Sequence, residues 1–270
     1  MVSRIVQFGE TSCSGHPSAS ALRLASSMTI KVGTAGWSIP RQEAEAFPAE
    51  GTSLVRYAVR FSVAEINSSF HRSHRRSTWE RWYESVPSAF RFSVKVPKLI
   101  THQQKLVGCS ELLDQFMAEA TALREKLAVL LVQLPPKLAF DGGVAADFFT
   151  DLKARTEVRI ACEPRHPSWF AAEADALLRE LRIARVAADP AICHDAARPG
   201  GWDGLRYWRL HGSPVIYRSS YGDRIDVYAS ELMREAAVDR DVWCIFDNTA
   251  SSAGAGDALA LTQAIQSRRD

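Results

Sequence analysis

From residue 29 onward the chain switches eight times between short apolar runs and amphipathic stretches, and few architectures accept that rhythm. The strand-like runs fall at 30–36, 61–67, 90–96, 128–134, 157–163, 183–188, 205–211 and 242–247, each rich in Val, Ile, Leu, Phe or Trp. Between them lie helical patterns such as 110–127, where Leu113, Phe116, Ala120, Leu123 and Leu127 recur on one face at three- and four-residue spacing. Ser77 with Glu80 reads as a capping box opening a helix over 78–85, which Pro87 closes. The stretch 190–204 holds Pro190, Pro199, Gly200 and Gly201 and has no helical period, so one crossover is expected to be irregular. Strands alternating with helices through short connections require parallel pairing and right-handed crossovers. The expected fold is therefore α/β: a (β/α)8 TIM-like barrel with a closed parallel sheet. No strand runs into a G-x-G-x-x-G turn or a phosphate-binding G-x-x-x-x-G-K-[ST] loop, which removes the main support for a nucleotide-binding open sheet.

A chain of 270 residues that is 46% hydrophobic can bury a full core, and a single barrel domain is expected over 29–267. Residues 1–28 differ. They are Ser-rich, without a sustained period or the apolar centre of a secretory signal, and read as a disordered leader or an over-long start ahead of Met28. The 33 basic and 31 acidic residues are dispersed and leave a net charge of +2, which is no field for bulk nucleic-acid binding. Five cysteines (Cys13, Cys109, Cys162, Cys193 and Cys244) without C-x-x-C spacing argue against a disulfide framework or a zinc knuckle and favour a reducing, cytoplasmic setting. No apolar run approaches the roughly 18 residues that cross a bilayer, so no membrane partner is expected.

In a barrel the carboxyl ends of the strands surround one mouth, and alternate strand residues point inward. Period two puts Glu65 and Asn67 on one face of the second strand, Ser93 and Lys95 on the third, Glu163 and Arg165 at the end of the fifth, and Arg209 and His211 on the seventh. Phe92, Val94, Cys162, Trp208 and Leu210 then face the helices. Gln133, Asp189, Asp247 and Asn248 complete the ring at the ends of strands four, six and eight. In ACEPRHPSWF (161–170) an apolar strand thus ends in an acid, a guanidinium and an imidazole because the mouth opens there, and Pro164 and Pro167 stiffen the exit.

Seven blocks carry a resemblance: GTAGWS (33–38), EINSSFHRS (65–73), FRFSVKVPKLITH (90–102), LLVQLPPKL (130–138), CEPRHPSWF (162–170), YWRLHG (207–212) and FDNT (246–249). In this order they look like the signature blocks of the YecE-like family, domain of unknown function 72, over about residues 29 to 266. The resemblance implies a TIM-barrel-like fold and no established activity. Asp247 stands where the family often has asparagine, and His71 and Ser73–His74 where a tyrosine and a proline-containing turn are common.

Each candidate has a plainer role beside the functional one. Glu163 with Arg165 fills a barrel as an internal ion pair or serves at a site. Lys95 pairs with Glu65 or Glu163, or, with its charge disfavoured by burial, becomes a base or Schiff-base nucleophile. His102 holds a loop or shuttles a proton, and His166 binds substrate or only caps the helix after Pro167. Trp37, Tyr217 and Tyr221 stack on a ligand or pack a lid. Arg72, Arg75 and Arg76 read as a solvated loop, with an anion or phosphate-backbone contact as the alternative.

Three functions fit. The favoured one is a cofactor-independent acid/base enzyme for a small anionic or sugar-like substrate. There Arg165 and Arg209 orient the anion, Glu163 and His211 move protons, and Lys95 stabilises developing charge. A metal-dependent phosphodiesterase or isomerase, with nucleic acid among its candidate substrates, would use Glu65, Glu163, Asp189, His211 and Asp247 as ligands, but Lys95, Arg165 and Arg209 would repel a divalent ion. No metal or cofactor is therefore expected. The third is a non-catalytic barrel that holds a ligand or partner in the same mouth.

Overall fold

The structure, a computed structural model, describes residues 30–238 and 240–269, so the expected leader over 1–28 lies outside the described residues. The strands are β1 (Ile30–Thr34), β2 (Val63–Ile66), β3 (Arg91–Lys95), β4 (Leu127–Gln133), β5 (Arg159–Glu163), β6 (Ile183–Arg185), β7 (Ala187–Asp189), β8 (Gly200–Gly201), β9 (Leu205–Leu210) and β10 (Asp241–Phe246). The helices are α1 (Ser53–Ala58), α2 (Arg76–Glu84), α3 (Ser110–Ala120), α4 (Gly142–Lys153), α5 (Ala172–Glu180), α6 (Ile225–Ala236) and α7 (Ala253–Gln266). All eight expected strand positions are occupied in order, and the sixth is divided at Val186 into β6 and β7.

The strands form two sheets, β1-β10-β9-β7 and β2-β3-β4-β5-β6-β8, parallel throughout except for the short β6–β8 pair. The expected single ladder of eight is thus interrupted twice. At one junction β1 meets β2 through a single bridge, Ala35 to Glu65, with Gly36 N–H donating to Glu65 O at 2.8 Å. Gly33 permits this approach, because a Cβ there would stand 2.3 Å from Val63 O. At the other junction β6 pairs with β5, Val186 N–H donates to Cys162 O at 2.8 Å, and β7 then pairs with β9.

Period two sorts the strand residues into separate cores. Val63, Val129, Leu131, Ala161, Ala184, Leu205, Tyr207, Trp243 and Ile245 form a cluster of their own among the strands. Their neighbours Ala64, Phe92, Val94, Leu130, Val132, Cys162, Trp208 and Leu210 join the larger cluster with the helices. In α6 that helical face is Ile225, Tyr228, Ala229, Leu232 and Ala236, all buried. A fully buried leucine such as Leu232 contributes roughly 1.5–3 kcal/mol over an exposed one.

Two local expectations are corrected. The Ser77–Glu80 capping box does not form: α2 begins two residues earlier than expected, with Arg75 at its N-cap, and Glu80 accepts from Arg76 Nε at 2.9 Å instead. The helix expected over 110–127 stops at Ala120, and a 3-10 segment Thr121–Lys126, with Arg124 at φ 49°, delivers the chain to β4. The crossover at 190–204 contains a 3-10 turn, His194–Ala197, and the two-residue β8.

Candidate functional site

The carboxyl ends of β2, β3, β5, β9 and β10 converge on Arg209, which is fully buried. Its guanidinium binds Glu65 with two nitrogens, Nε to Oε2 at 3.0 Å and Nη2 to Oε1 at 2.7 Å. Nη1 donates to Glu163 Oε2 at 2.7 Å, and Nη2 reaches Asp247 Oδ2 at 3.1 Å. Three carboxylates therefore share one buried guanidinium, where each charge would be costly alone. Beneath them Tyr207 Oη lies 3.2 Å from Glu65 Oε2 and 2.9 Å from Ser93 Oγ.

His211 stands between two of these acids, with Nδ1 3.0 Å from Asp247 Oδ2 and Nε2 3.0 Å from Glu163 Oε1. Both ring nitrogens can donate only in the imidazolium. Burial opposes that charge, but Glu163 and Asp247 outweigh it and raise the imidazole pKa. Glu163 Oε1 also accepts from Arg165 Nε at 3.0 Å and from Gln133 Nε2 at 3.1 Å, so it bridges the two cations, whose Nη2 and Nε2 approach to 3.4 Å. Burial pushes the Glu163 carboxyl upward, yet Arg209, His211 and Arg165 hold it well below the usual carboxylate range. Asp247 is lowered in the same way, by Arg209 and His211 against burial. Arg165 extends to Tyr217 Oη at 3.2 Å, and Tyr217 presents its edge to the His211 ring.

Lys95 enters the same space and pairs with neither Glu65 nor Glu163, contrary to the expected pairing, because the carboxylate oxygens are occupied by Arg209, Arg165 and His211. Its side chain, only 5% exposed, makes no hydrogen bond or ion pair among the described residues, and its ammonium stands 4.1 Å above the centre of the Phe70 ring. Burial, then the charge of Arg209, pushes the amine down to about 8, against the pull of Glu65, Glu163 and Asp247. His102 borders this space: its ring meets Phe70 edge-on, and burial followed by the charges of Lys95, Lys98 and Arg165 lowers its pKa.

The other sequence candidates lie apart from this cluster. Asp189 turns toward α6, where it pairs with Arg224 and accepts from Tyr228 Oη at 2.7 Å and Tyr221 Oη at 3.2 Å. Ala184 and Val186 belong to the inner cluster and Ile183 and Ala187 to the helical one, so period two carries Asp189 to the face toward the helices. Tyr221 is buried and receives the Gly212 N–H at 2.9 Å, at a glycine with φ 95° whose Cβ would lie 2.8 Å from Ser219 O. Asn248 ties Ser219 O to Asp257, and Trp37 packs against Trp82 and Phe92. His166 caps its turn, Nδ1 accepting from Ser168 N–H at 3.3 Å. Asn67 precedes the turn Ser68–Phe70, and its buried Oδ1 has no partner among the described residues. Arg72, Arg75 and Arg76 are exposed. Two site residues escaped the sequence reading. Tyr207 shares the period of Arg209 and His211 and was open to that argument; Phe70, in an irregular turn, had no signal.

The fold and this cluster define a class: α/β proteins of parallel strands that collect a buried ion network at the strands' carboxyl ends. Residues 31–270 match the family model described as protein of unknown function DUF72, and the chain belongs to that family. It is 31% identical over 175 residues to the UPF0759 protein YecE of Escherichia coli K12, a match covering 63% of this chain and 62% of YecE, so it spans less than two thirds of that relative. Among solved structures, the DUF72 protein of Enterococcus faecalis V583 superimposes with a TM-score of 0.73 at 18% identity, covering 88% of this chain and 96% of the other. That of Thermotoga maritima MSB8 gives 0.71 at 21% identity, covering 88% and 99%. At these identities the likeness concerns the fold. Among the described residues, no helix is long and apolar enough to cross a membrane.

Proposed function

We propose that the carboxyl ends of the strands bind a small anion and that Lys95 is the proton-transferring group acting on it. This reading takes the two sheets as one closed (β/α)8 TIM-like barrel, a single domain over 29–267, joined by the Ala35–Glu65 bridge and by the strand shared between β5 and β9. The observation that carries it is the unpaired Lys95 ammonium. Three carboxylates face two guanidiniums, one imidazolium and one ammonium, so the fully ionised cluster holds one positive charge over. A bound carboxylate or phosphate supplies the missing partner.

An amine with a pKa of about 8 exchanges its proton near neutral pH, where an ordinary lysine does not. Glu163, held ionised by four donors, serves better as a fixed acceptor that orients Arg165 and His211 than as a proton carrier. A metal site has less support, since Glu65, Glu163 and Asp247 already bind Arg209 and leave few lone pairs for a cation.

The test is thermal unfolding with and without sulfate or phosphate at pH 7. The anion raises the melting temperature of the wild type by linkage, and Lys95→Met removes the rise, as does Arg165→Ala. A rise that persists in both variants places the anion elsewhere and overturns the reading.

A further inference from the structure

A cavity of about 280 Å³, lined by none of the ion-network side chains, is bounded by the turn after β2, the residues after β3 and one face of α3. Its walls are mixed: Phe70, Pro97, Ile100, Leu112 and Phe116 supply the apolar part, and Arg72, Lys98 and Glu119 are among the polar residues that line the remainder. The volume lies just below the usual range for drug-sized ligands, so the space suits a short chain. Phe70 is the link. It lines the cavity, and its ring also carries the Lys95 ammonium at 4.1 Å, so one aromatic ring separates the unpaired charge from the apolar space. The ring is held in place: Ser69 Oγ lies 2.9 Å from Ile66 O and 2.7 Å from Lys95 O, tying the turn to the ends of both strands. On the outer side Leu99 leaves 41% of its surface in solvent, which extends the apolar lining to the rim.

We infer that the ligand is an amphipathic anion, a carboxylate or phosphate bearing an unbranched apolar chain, with its head at Lys95 and its chain laid across Phe70 into this cavity. The inference rests on the anion reading above and adds the class of the non-reacting part. A free inorganic anion or a short hydroxy acid would leave the cavity solvated. A chain of several methylenes would displace that water and gain up to roughly fourfold in affinity per buried methylene. Leu112 is partly buried and Gln115 exposed on the cavity side of α3; these two positions set the chain length that fits.

Isothermal titration calorimetry with acetate and octanoate at pH 7 tests this. Octanoate is expected to bind at least about tenfold more tightly than acetate. Leu112→Glu, which places a carboxylate in the cavity, and Gln115→Trp, which fills it from an exposed position, should bring octanoate back to the acetate value and leave acetate unchanged. Lys95→Met should weaken both. Equal affinities in the wild type, with acetate still bound, overturn the apolar-chain inference and leave the anion reading standing; loss of the sulfate effect described above overturns the anion reading itself. An octanoate preference that survives both cavity variants, or that ignores Lys95→Met, also overturns the inference, because the chain or the head then lies elsewhere.

Discussion

At the amino-terminal ends of the strands Asp241 receives Lys31 on one oxygen and Arg159 on the other, and Trp243 Nε1 donates to it at 3.1 Å. All three charged side chains there keep some solvent contact, at 18% for Lys31, 19% for Asp241 and 29% for Arg159. At the carboxyl ends Arg209, Glu65 and Glu163 have none, and the ammonium of Lys95 is left without an ionic partner. Both ends hold one cation more than they hold acids. At the first, partial exposure and a shared carboxylate absorb the surplus; at the second, burial leaves a perturbed amine with no ionic partner among the described residues.

The largest effect that can break this contrast comes from Arg209→Met, which leaves three carboxylates without their common partner. Urea unfolding should show a loss of about 3–5 kcal/mol, the range for breaking a buried pair. A loss under about 1 kcal/mol would mean that the carboxyl-end network is as well solvated as the other end.

Next is the pH dependence of Lys95. Its folded pKa of about 8 lies below the unfolded 10.5, so between these values the unfolded chain binds more protons and stability rises with pH. The difference in unfolding free energy, wild type minus Lys95→Met, should climb by roughly 3 kcal/mol from pH 8 to 10.5 and be flat below that window. A flat difference throughout would mean an ordinary, hydrated lysine.

Asp241→Asn should cost about 1 kcal/mol or less in the same urea assay, because partly exposed pairs are screened. A loss matching that of Arg209→Met would erase the distinction between the ends. The smallest signal is spectroscopic. His211, raised by Glu163 and Asp247 against burial, should titrate above 6.5, and His102, lowered by burial and by Lys95, should titrate below it, as read from imidazole nitrogen shifts. Any stability owed to the His211 charge is complete below pH 6.5 and fades as pH rises through its folded pKa. The reverse order of the two titrations would contradict the geometry around Glu163.

The sequence by itself determined which residues meet along each strand. A side chain's face follows from a repeat of two, so Glu65 with Ser93, Lys95, Glu163, Arg209 and the outward Phe92, Cys162 and Trp208 were legible before any coordinates. Tertiary structure alone decided the pairing. Four cations competed for three carboxylates. Bidentate geometry and central position gave Arg209 the first claim, Arg165 and His211 took Glu163 Oε1, and Lys95 was left over. Asp189 lies outside the site by the same repeat of two: Ala184 and Val186 face inward, Ile183 and Ala187 face the helices, and Asp189 follows Ala187 on that outer face. Phe70 and its cavity arise where an irregular turn, a π-helical segment at Leu99–Gln103 and α3 meet, residues far apart in sequence and brought together by no periodicity.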